Sequence, residues 1–184
     1  MTELAICSCC GKQHPISEIE LSFRRPDAFL RVPPEDRESR TRATDDLCAI
    51  WGADDTSHRY FVRGLLPFKV KEWDTAYSLG VWLEVSKQAF DRIFELWDDV
   101  HQSSEPPFSA KLANTVPFHH ETCGLSGKLF LTGPSTRPRF QLNIAEDTLS
   151  LEQTQGISAH RAVEYAEIAA SSSLQRTPSG PAEQ

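Results

Sequence analysis

Three cysteines and a histidine fall within the eight positions Cys7-Ser8-Cys9-Cys10-Gly11-Lys12-Gln13-His14, in a chain that has five cysteines in all. Cys7 and Cys10 form a C-x-x-C pair, and two thiolates at that spacing can hold one tetrahedral zinc ion at about 2.3 Å when the chain turns between them. His14 supplies a third ligand, and Gly11 can take the positive φ that a tight turn after a ligand pair requires. A closed structural site needs a fourth. The candidates are Cys9, Cys48, Cys123, His119 and His120. Cys9 points away from any site that Cys10 already joins, whereas a strand can deliver Cys48 from outside the knuckle.

Two other readings compete with zinc. A thioredoxin-like redox pair is also C-x-x-C, but it sits at a helix N-terminus within a βαβ unit. Gly11 and His14-Pro15 oppose a helix there. The thiols could also be plain buried residues, since free cysteine is among the most buried residue types.

The elements that must position such a site can be read from hydrophobic periodicity. "LCAIW" and "HRYFVRGLL", separated by the turn formers of "GADDTS", predict a β-hairpin. "AYSLGVWLEV" alternates with period two, placing Tyr77, Leu79, Val81, Leu83 and Val85 on one face and Trp82 among polar neighbours on the other. A tryptophan there is either covered by a helix or a partner anchor. Ser86 caps a predicted helix from Lys87 to about His101, with Phe90, Ile93, Phe94, Trp97 and Val100 as its apolar face and Asp91, Glu95, Asp98 and Asp99 opposite. "KLFLTG" and "RPRFQLNI" read as two more strands around a turn. "TLSLEQTQG" and "ISAHRAVEYAEIAA" read as two helices, the first stopped by Gly156 and the second capped by Ser158. Pro34 opens a charged surface helix. "HHETC", at His119 to Cys123, is read as a loop entering a strand.

Composition narrows the function classes. The 184 residues are 39% hydrophobic and 24% charged, which suits one globular domain, taken as residues 1–170, followed by a polar tail at 171–184 that is expected to be disordered. No run approaches the roughly 18 apolar residues of a membrane helix, and no basic segment leads into an apolar one at the start, so a cytoplasmic protein with no membrane partner is expected. A net charge of −7 opposes a nucleic-acid-binding surface. The arginines between Arg24 and Arg42 alternate with acidic residues and read as a solvated surface. There is no nucleophile elbow, glycine-rich phosphate loop or H-E-x-x-H motif.

The ordered set "CxxCGxxH" at Cys7 to His14, "DLC" at Asp46 to Cys48, "FVRGLL" at Phe61 to Leu66, "GVW" at Gly80 to Trp82 and "EQTQGIS" at Glu152 to Ser158 resembles bacterial domain-of-unknown-function family 2199, up to about residue 168. The family carries no established activity. The resemblance strengthens Cys48 as the fourth ligand, because the cysteine pair, the histidine and the "DxC" cysteine match its recurring polar positions. The chain departs from it at Asp147-Thr148-Leu149, where the family has His-Pro-Leu.

The expected fold is therefore α+β: a mainly antiparallel sheet of about five strands, one prominent amphipathic helix, and a zinc-knuckle-like turn built from Cys7, Cys10, His14 and Cys48. The expected function is a non-enzymatic protein-binding module stabilised by structural zinc, with Asp91, Glu95, Asp98 and Asp99 facing a basic partner in the manner of an immunity or inhibitor protein. The alternative is a zinc-dependent hydrolase with an open metal position.

Overall fold

The computed structural model describes residues 4–6, 13–15, 19–145 and 147–174. Its frame is the hairpin of two long strands rich in β-branched and aromatic residues. The elements that precede this hairpin are β1 (Leu4–Ile6), β2 (Gln13–Pro15), α1 (Asp27–Leu30), α2 (Arg37–Arg40), β3 (Thr41–Ala43) and β4 (Leu47–Ile50). The hairpin itself is β5 (Arg59–Lys69) and β6 (Ala76–Val85), and it is followed by α3 (Lys87–Glu95), β7 (Phe108–Leu112), β8 (Ser126–Phe130), β9 (Arg139–Leu142), α4 (Thr148–Gln155) and α5 (Ala159–Leu174).

β5 and β6 pair antiparallel from Tyr60↔Val85 to Lys69↔Ala76. Their alternation sends Val62, Leu66 and Phe68 to the same interior as Leu79, Val81, Leu83 and Val85. β7, β8 and β9 continue the sheet antiparallel, and β9 then returns to β5 through the parallel pair Leu65↔Arg139. The expected sheet of about five strands is thus a five-stranded barrel, with β4 and β3 extending it beyond β5. Ala110, Leu112, Leu129, Phe140 and Leu142 complete the interior.

Closure depends on a glycine. The Leu65 amide donates to the Pro138 carbonyl at 2.8 Å, and a Cβ on Gly64 would stand 3.0 Å from that oxygen and 2.9 Å from the Leu83 side chain. The glycine of "FVRGLL" therefore lets two strands touch across the seam.

Helices plug the two ends of β5. At its start, Phe90 of α3 packs on Tyr60 with ring centroids 5.2 Å apart, and Ala89, Ile93 and Leu96 enter the core. At its end, the Ile157 amide donates to the Lys69 carbonyl at 2.8 Å, and Leu149, Ala162, Tyr165, Ala166 and Ala169 of α4 and α5 close the interior.

The outer face of β4–β5–β6 is also covered. Trp82 is fully buried beside Cys48, Ile50, Phe61 and Ala113, beneath the segment that carries Phe23, Ala28, Phe29 and Val32. Its indole donates to the Phe23 carbonyl at 3.0 Å. Of the two expectations for Trp82, the covering helix holds, and α1 belongs to it.

Several elements differ from expectation for local reasons. α3 stops at Glu95, where the backbone tightens into three-residue turns, the Trp97 amide donating to the Phe94 carbonyl at 3.3 Å and the Asp99 amide to the Leu96 carbonyl at 2.9 Å. Phe94 and Val100, expected in the core, are 64% and 69% exposed. His101 is exposed as well. The helix expected from Pro34 is a 3-10 turn at Pro34–Asp36 and the single turn α2, after which Thr41 enters β3. α5, the longest helix among the described residues, runs through Leu174 and so passes the expected domain end at 170. No helix among the described residues is long and apolar enough to cross a membrane.

Candidate functional site

Ser86 caps α3 by accepting from the Ala89 amide at 3.1 Å, which fixes the helix so that Ala89 and Ile93 face inward. The opposite stripe presents Lys87, Asp91, Phe94, Glu95 and Asp98, a spacing of three and four residues. Beside it lies a surface groove of about 700 Å³ lined by Asp91, Arg92, Glu95, Glu105, Pro107 and Phe108. Lys87 pairs with Asp91 at 2.6 Å, and Arg92 reaches both oxygens of Glu105 at 3.0 Å. The hydrogen bond from Arg92 holds the Glu105 carboxyl below its usual range. Asp91, Glu95, Asp98, Asp99 and Glu105 together outnumber Lys87 and Arg92 by three charges. All four acidic residues predicted from sequence thus lie on or just beyond α3, and two exposed apolar side chains, Phe94 and Val100, stand among them.

A second constellation gathers at the other end of β5. The connection from β7 to β8 is pinned by buried Thr122, whose hydroxyl accepts from the Val116 amide and donates to the Asn114 carbonyl, both at 2.8 Å. Within it Phe118 and Glu121 adopt φ values of +70° and +51°, a conformation that side-chain-bearing residues rarely take. This loop carries His119 under α4 and α5, with its side chain 3% exposed. His119 Nδ1 lies 2.7 Å from the Thr148 hydroxyl, and Nε2 lies 3.1 Å from Glu152 Oε2 and 2.9 Å from the Tyr165 hydroxyl. Arg161 closes on the other Glu152 oxygen at 3.1 Å and stacks over the Phe118 ring at 4.6 Å.

Electrostatics fix the protonation pattern. Burial alone would raise the Glu152 carboxyl, but His119, Arg161 and Tyr165 outweigh it and hold the group below its usual value, so it is a carboxylate. Burial, then the neighbouring Glu152 charge, push the Tyr165 phenol well above its ordinary range, so it stays a neutral donor to Glu152 Oε2 at 3.1 Å. A carboxylate only accepts, so in the contact with Glu152 Oε2 it is His119 Nε2 that donates.

Gln153 and Gly156 hold this arrangement in place. Gln153 Nε2 donates to the Phe140 carbonyl at 2.9 Å and its oxygen accepts from the Leu142 amide at 2.8 Å, which moors α4 on β9. Gly156, at φ +81°, ends α4 and turns the chain so that Ile157 bridges Val70 and Ser158 caps α5.

The predicted metal ligands are not assembled among the described residues. Cys7, Cys10 and the His14 side chain lie outside them. β1 and β2 pair antiparallel, with the His14 backbone opposite Ala5, and β1 packs against α5. Cys48 lies on the other side of the sheet, 1% exposed, where burial pushes its thiol up to about 11, so it is protonated and buried as a core residue would be. No group of three His, Cys, Asp or Glu among the described residues could hold a metal ion. Cys123 is exposed and touches Asp27 rather than a histidine, with its sulfur 3.5 Å from the carboxylate.

Sequence spacing does not single out Thr148, Arg161 or Tyr165, and it offers His119 only as a loop residue among the candidates for a fourth metal ligand. The available signal is faint. Arg161 and Tyr165 are four apart on one helix, and Glu152 belongs to the "EQTQGIS" stretch, but nothing in the chain order ties either to His119.

The sequence profile of a family described as "Uncharacterized protein conserved in bacteria (DUF2199)" matches residues 6–157. No curated protein and no solved structure matches the chain.

Proposed function

We propose that this chain, which belongs to the family of uncharacterized bacterial proteins just described, is a cytoplasmic protein-binding module whose contact surface is the outer stripe of α3 and whose partner is basic. The observation that carries the reading is Phe94, 64% exposed and set between Asp91, Glu95 and Asp98. Aromatic residues concentrate binding energy at interfaces, and an exposed ring amid charges can serve as such an anchor. The surplus of three negative charges speeds encounter with a positive surface and selects against acidic partners. Internal pairing of Lys87 with Asp91 and of Arg92 with Glu105 leaves Asp98 and Asp99 as the carboxylates best placed to meet incoming lysine or arginine. The spacing of Cys7, Cys10 and His14 supports a zinc knuckle as a stabilising element of the same module.

The test is capture on the immobilised full chain, identification of the bound protein, and titration of that purified protein against wild type and Phe94→Ser. At least a tenfold loss of affinity in the variant, with a wild-type association rate that falls as salt rises, supports the reading. Undiminished affinity in a Phe94→Ser, Val100→Ser double variant, or an acidic partner, overturns it.

A further inference from the structure

We propose that Thr148, His119 and Glu152 form an acyl-transfer relay that accepts the acyl group of an ester with a short apolar chain. The activity is independent of the α3 surface, since the two sites stand at opposite ends of β5.

The geometry is that of a hydroxyl, a base and an orienting carboxylate in series. Thr148 Oγ1 is 2.7 Å from His119 Nδ1, and His119 Nε2 is 3.1 Å from Glu152 Oε2. In the neutral imidazole that donates through Nε2 to Glu152, Nδ1 is at hydrogen-bond distance to accept the Thr148 hydroxyl hydrogen, which is the arrangement a general base needs. Thr148 is exposed whereas the imidazole is not, so the hydroxyl is the member of the relay that a substrate meets first.

The backbone around the base points the same way. Strained φ values at Phe118 and Glu121 bracket His119, and strain of this kind persists where the surrounding structure holds a functional group in place. Phe118 is clamped between Arg161 above its ring and the edge of Tyr165, with ring centroids 5.5 Å apart. Arg161 and Tyr165 act as positioning residues, since both hold the Glu152 carboxylate and Tyr165 also lies 2.9 Å from His119 Nε2.

The substrate class is inferred from exposed apolar residues near Thr148 in the chain or next to its base. Phe118 precedes the base in the chain and is 50% exposed, Leu151 stands one helical turn along α4 at 39%, and Ile144 precedes the helix at 86%. These apolar side chains suit a short alkyl or aryl acyl group on an open surface.

In the first step Thr148 Oγ1 bonds to the ester carbonyl carbon as its proton passes to His119 Nδ1. The bond from carbon to the alkoxy oxygen breaks, and the departing alkoxide takes the Nδ1 proton and leaves as an alcohol. Water then attacks the Thr148 ester and gives a proton to Nδ1. That proton returns to Thr148 Oγ1 as the carboxylic acid departs. Glu152 stabilises the imidazolium formed in each half.

The experiment incubates the full chain with p-nitrophenyl butyrate, follows p-nitrophenolate release, and maps any butyryl group by peptide mass spectrometry. Expected are a butyryl group on Thr148 and a release rate about 10²-fold above that of Thr148→Val, in line with the contribution of a positioned general base. Thr148→Ser should retain release, and Glu152→Gln should lower it at a temperature well below that variant's own thermal midpoint. Equal rates for wild type and Thr148→Val, or butyrylation confined to lysine or to other residues, overturns the proposal. Because Thr148 is exposed, its valine variant folds and the comparison stays interpretable.

Discussion

Gln153 and Leu142 are joined by a hydrogen bond of 2.8 Å from the strand amide to the helix side chain, and the same amide group of Gln153 donates to the Phe140 carbonyl two residues earlier on β9. One side chain thereby satisfies two backbone groups at the edge of the barrel and moors the helix that carries Thr148 and Glu152. Gln153→Ala leaves both groups without that partner. At roughly 1 kcal/mol for each bond lost, the variant should lose about 2 kcal/mol, measurable as a lower urea midpoint with an unchanged slope. A midpoint equal to wild type would mean that α4 is held by its apolar contacts alone.

Gly156 is constrained twice over. Its φ of +81° with ψ of 160° is a region left almost wholly to glycine, and a Cβ there would lie 2.8 Å from the Lys69 carbonyl that accepts the Ile157 amide. A Cβ on Gly124, at φ +93°, would meet nothing within 4 Å, so that position carries only the conformational part. Gly156→Ala should cost about 2–3 kcal/mol and Gly124→Ala about 1 kcal/mol. Equal losses in the two variants would remove the close approach to Lys69 from the account.

Much of the fold is legible in the sequence because it is local. β6 is the alternating run "AYSLGVWLEV" itself, and the pairing of β4 with β5 joins the two runs expected to form a hairpin. α4 stops at Gly156 and α5 follows Ser158, the two residues that signal those boundaries in the sequence. The barrel is not legible, because its closure rests on one parallel pairing between Leu65 and Arg139, which no periodicity encodes. β7 alternates too, with Phe108, Ala110 and Leu112 on the core side, but five residues that begin at the end of the loop stretch "SSEPPF" are too short a run to stand out as a strand. The His119 constellation is hidden for a similar reason. Its members come from a loop and two helices, and each taken alone looks like an ordinary surface or core residue.

The inward and outward faces of α3 make a paired test with neighbouring residues. Ile93 is fully buried and Phe94 is 64% exposed. Ile93→Ala should cost about 2–5 kcal/mol through lost burial and a cavity, while Phe94→Ala should stay within about 0.5 kcal/mol of wild type. Thermal or urea midpoints decide it. A large loss at Phe94 would return that ring to the core, as its helical spacing suggests, and would remove the anchor from the proposed interface.

The cysteines separate by environment. Cys7 and Cys10 carry the C-x-x-C spacing, whereas the Cys48 thiol sits among Val32, Ile50, Phe61 and Trp82. Mass spectrometry of untagged protein purified under reducing conditions should find about one zinc per chain, lost in Cys7→Ser and Cys10→Ser and kept in Cys48→Ala. Structural zinc in finger peptides is worth about 10–16 kcal/mol, so the first two variants should also show sharply lower thermal midpoints. Zinc lost with Cys48→Ala would bring that thiol into the site as the fourth ligand, and metal-free wild type would remove the knuckle.

Acid should unlock the outer layer through Asp27. Its carboxylate accepts from the Thr115 amide at 2.9 Å, the Thr115 hydroxyl at 2.7 Å and Asn114 at 3.1 Å, and Asn114 in turn accepts from the Trp82 amide at 2.7 Å. Burial alone would raise the Asp27 carboxyl, but these hydrogen bonds outweigh it and leave the group below its ordinary value. An unfolded aspartate titrates near pH 3.9, so a lower folded value favours the native state above that pH. The contribution is lost as pH falls through the folded value, because the proton that binds must displace a hydrogen-bonded carboxylate. Asp27→Asn cannot lose a charge it does not have. Wild type should therefore be the more stable protein at pH 7 and should converge on the variant as pH drops below about 3.9, read from thermal midpoints followed by tryptophan fluorescence. A constant gap between the two proteins from pH 7 to pH 3 would show that Asp27 contributes through shape rather than through its charge.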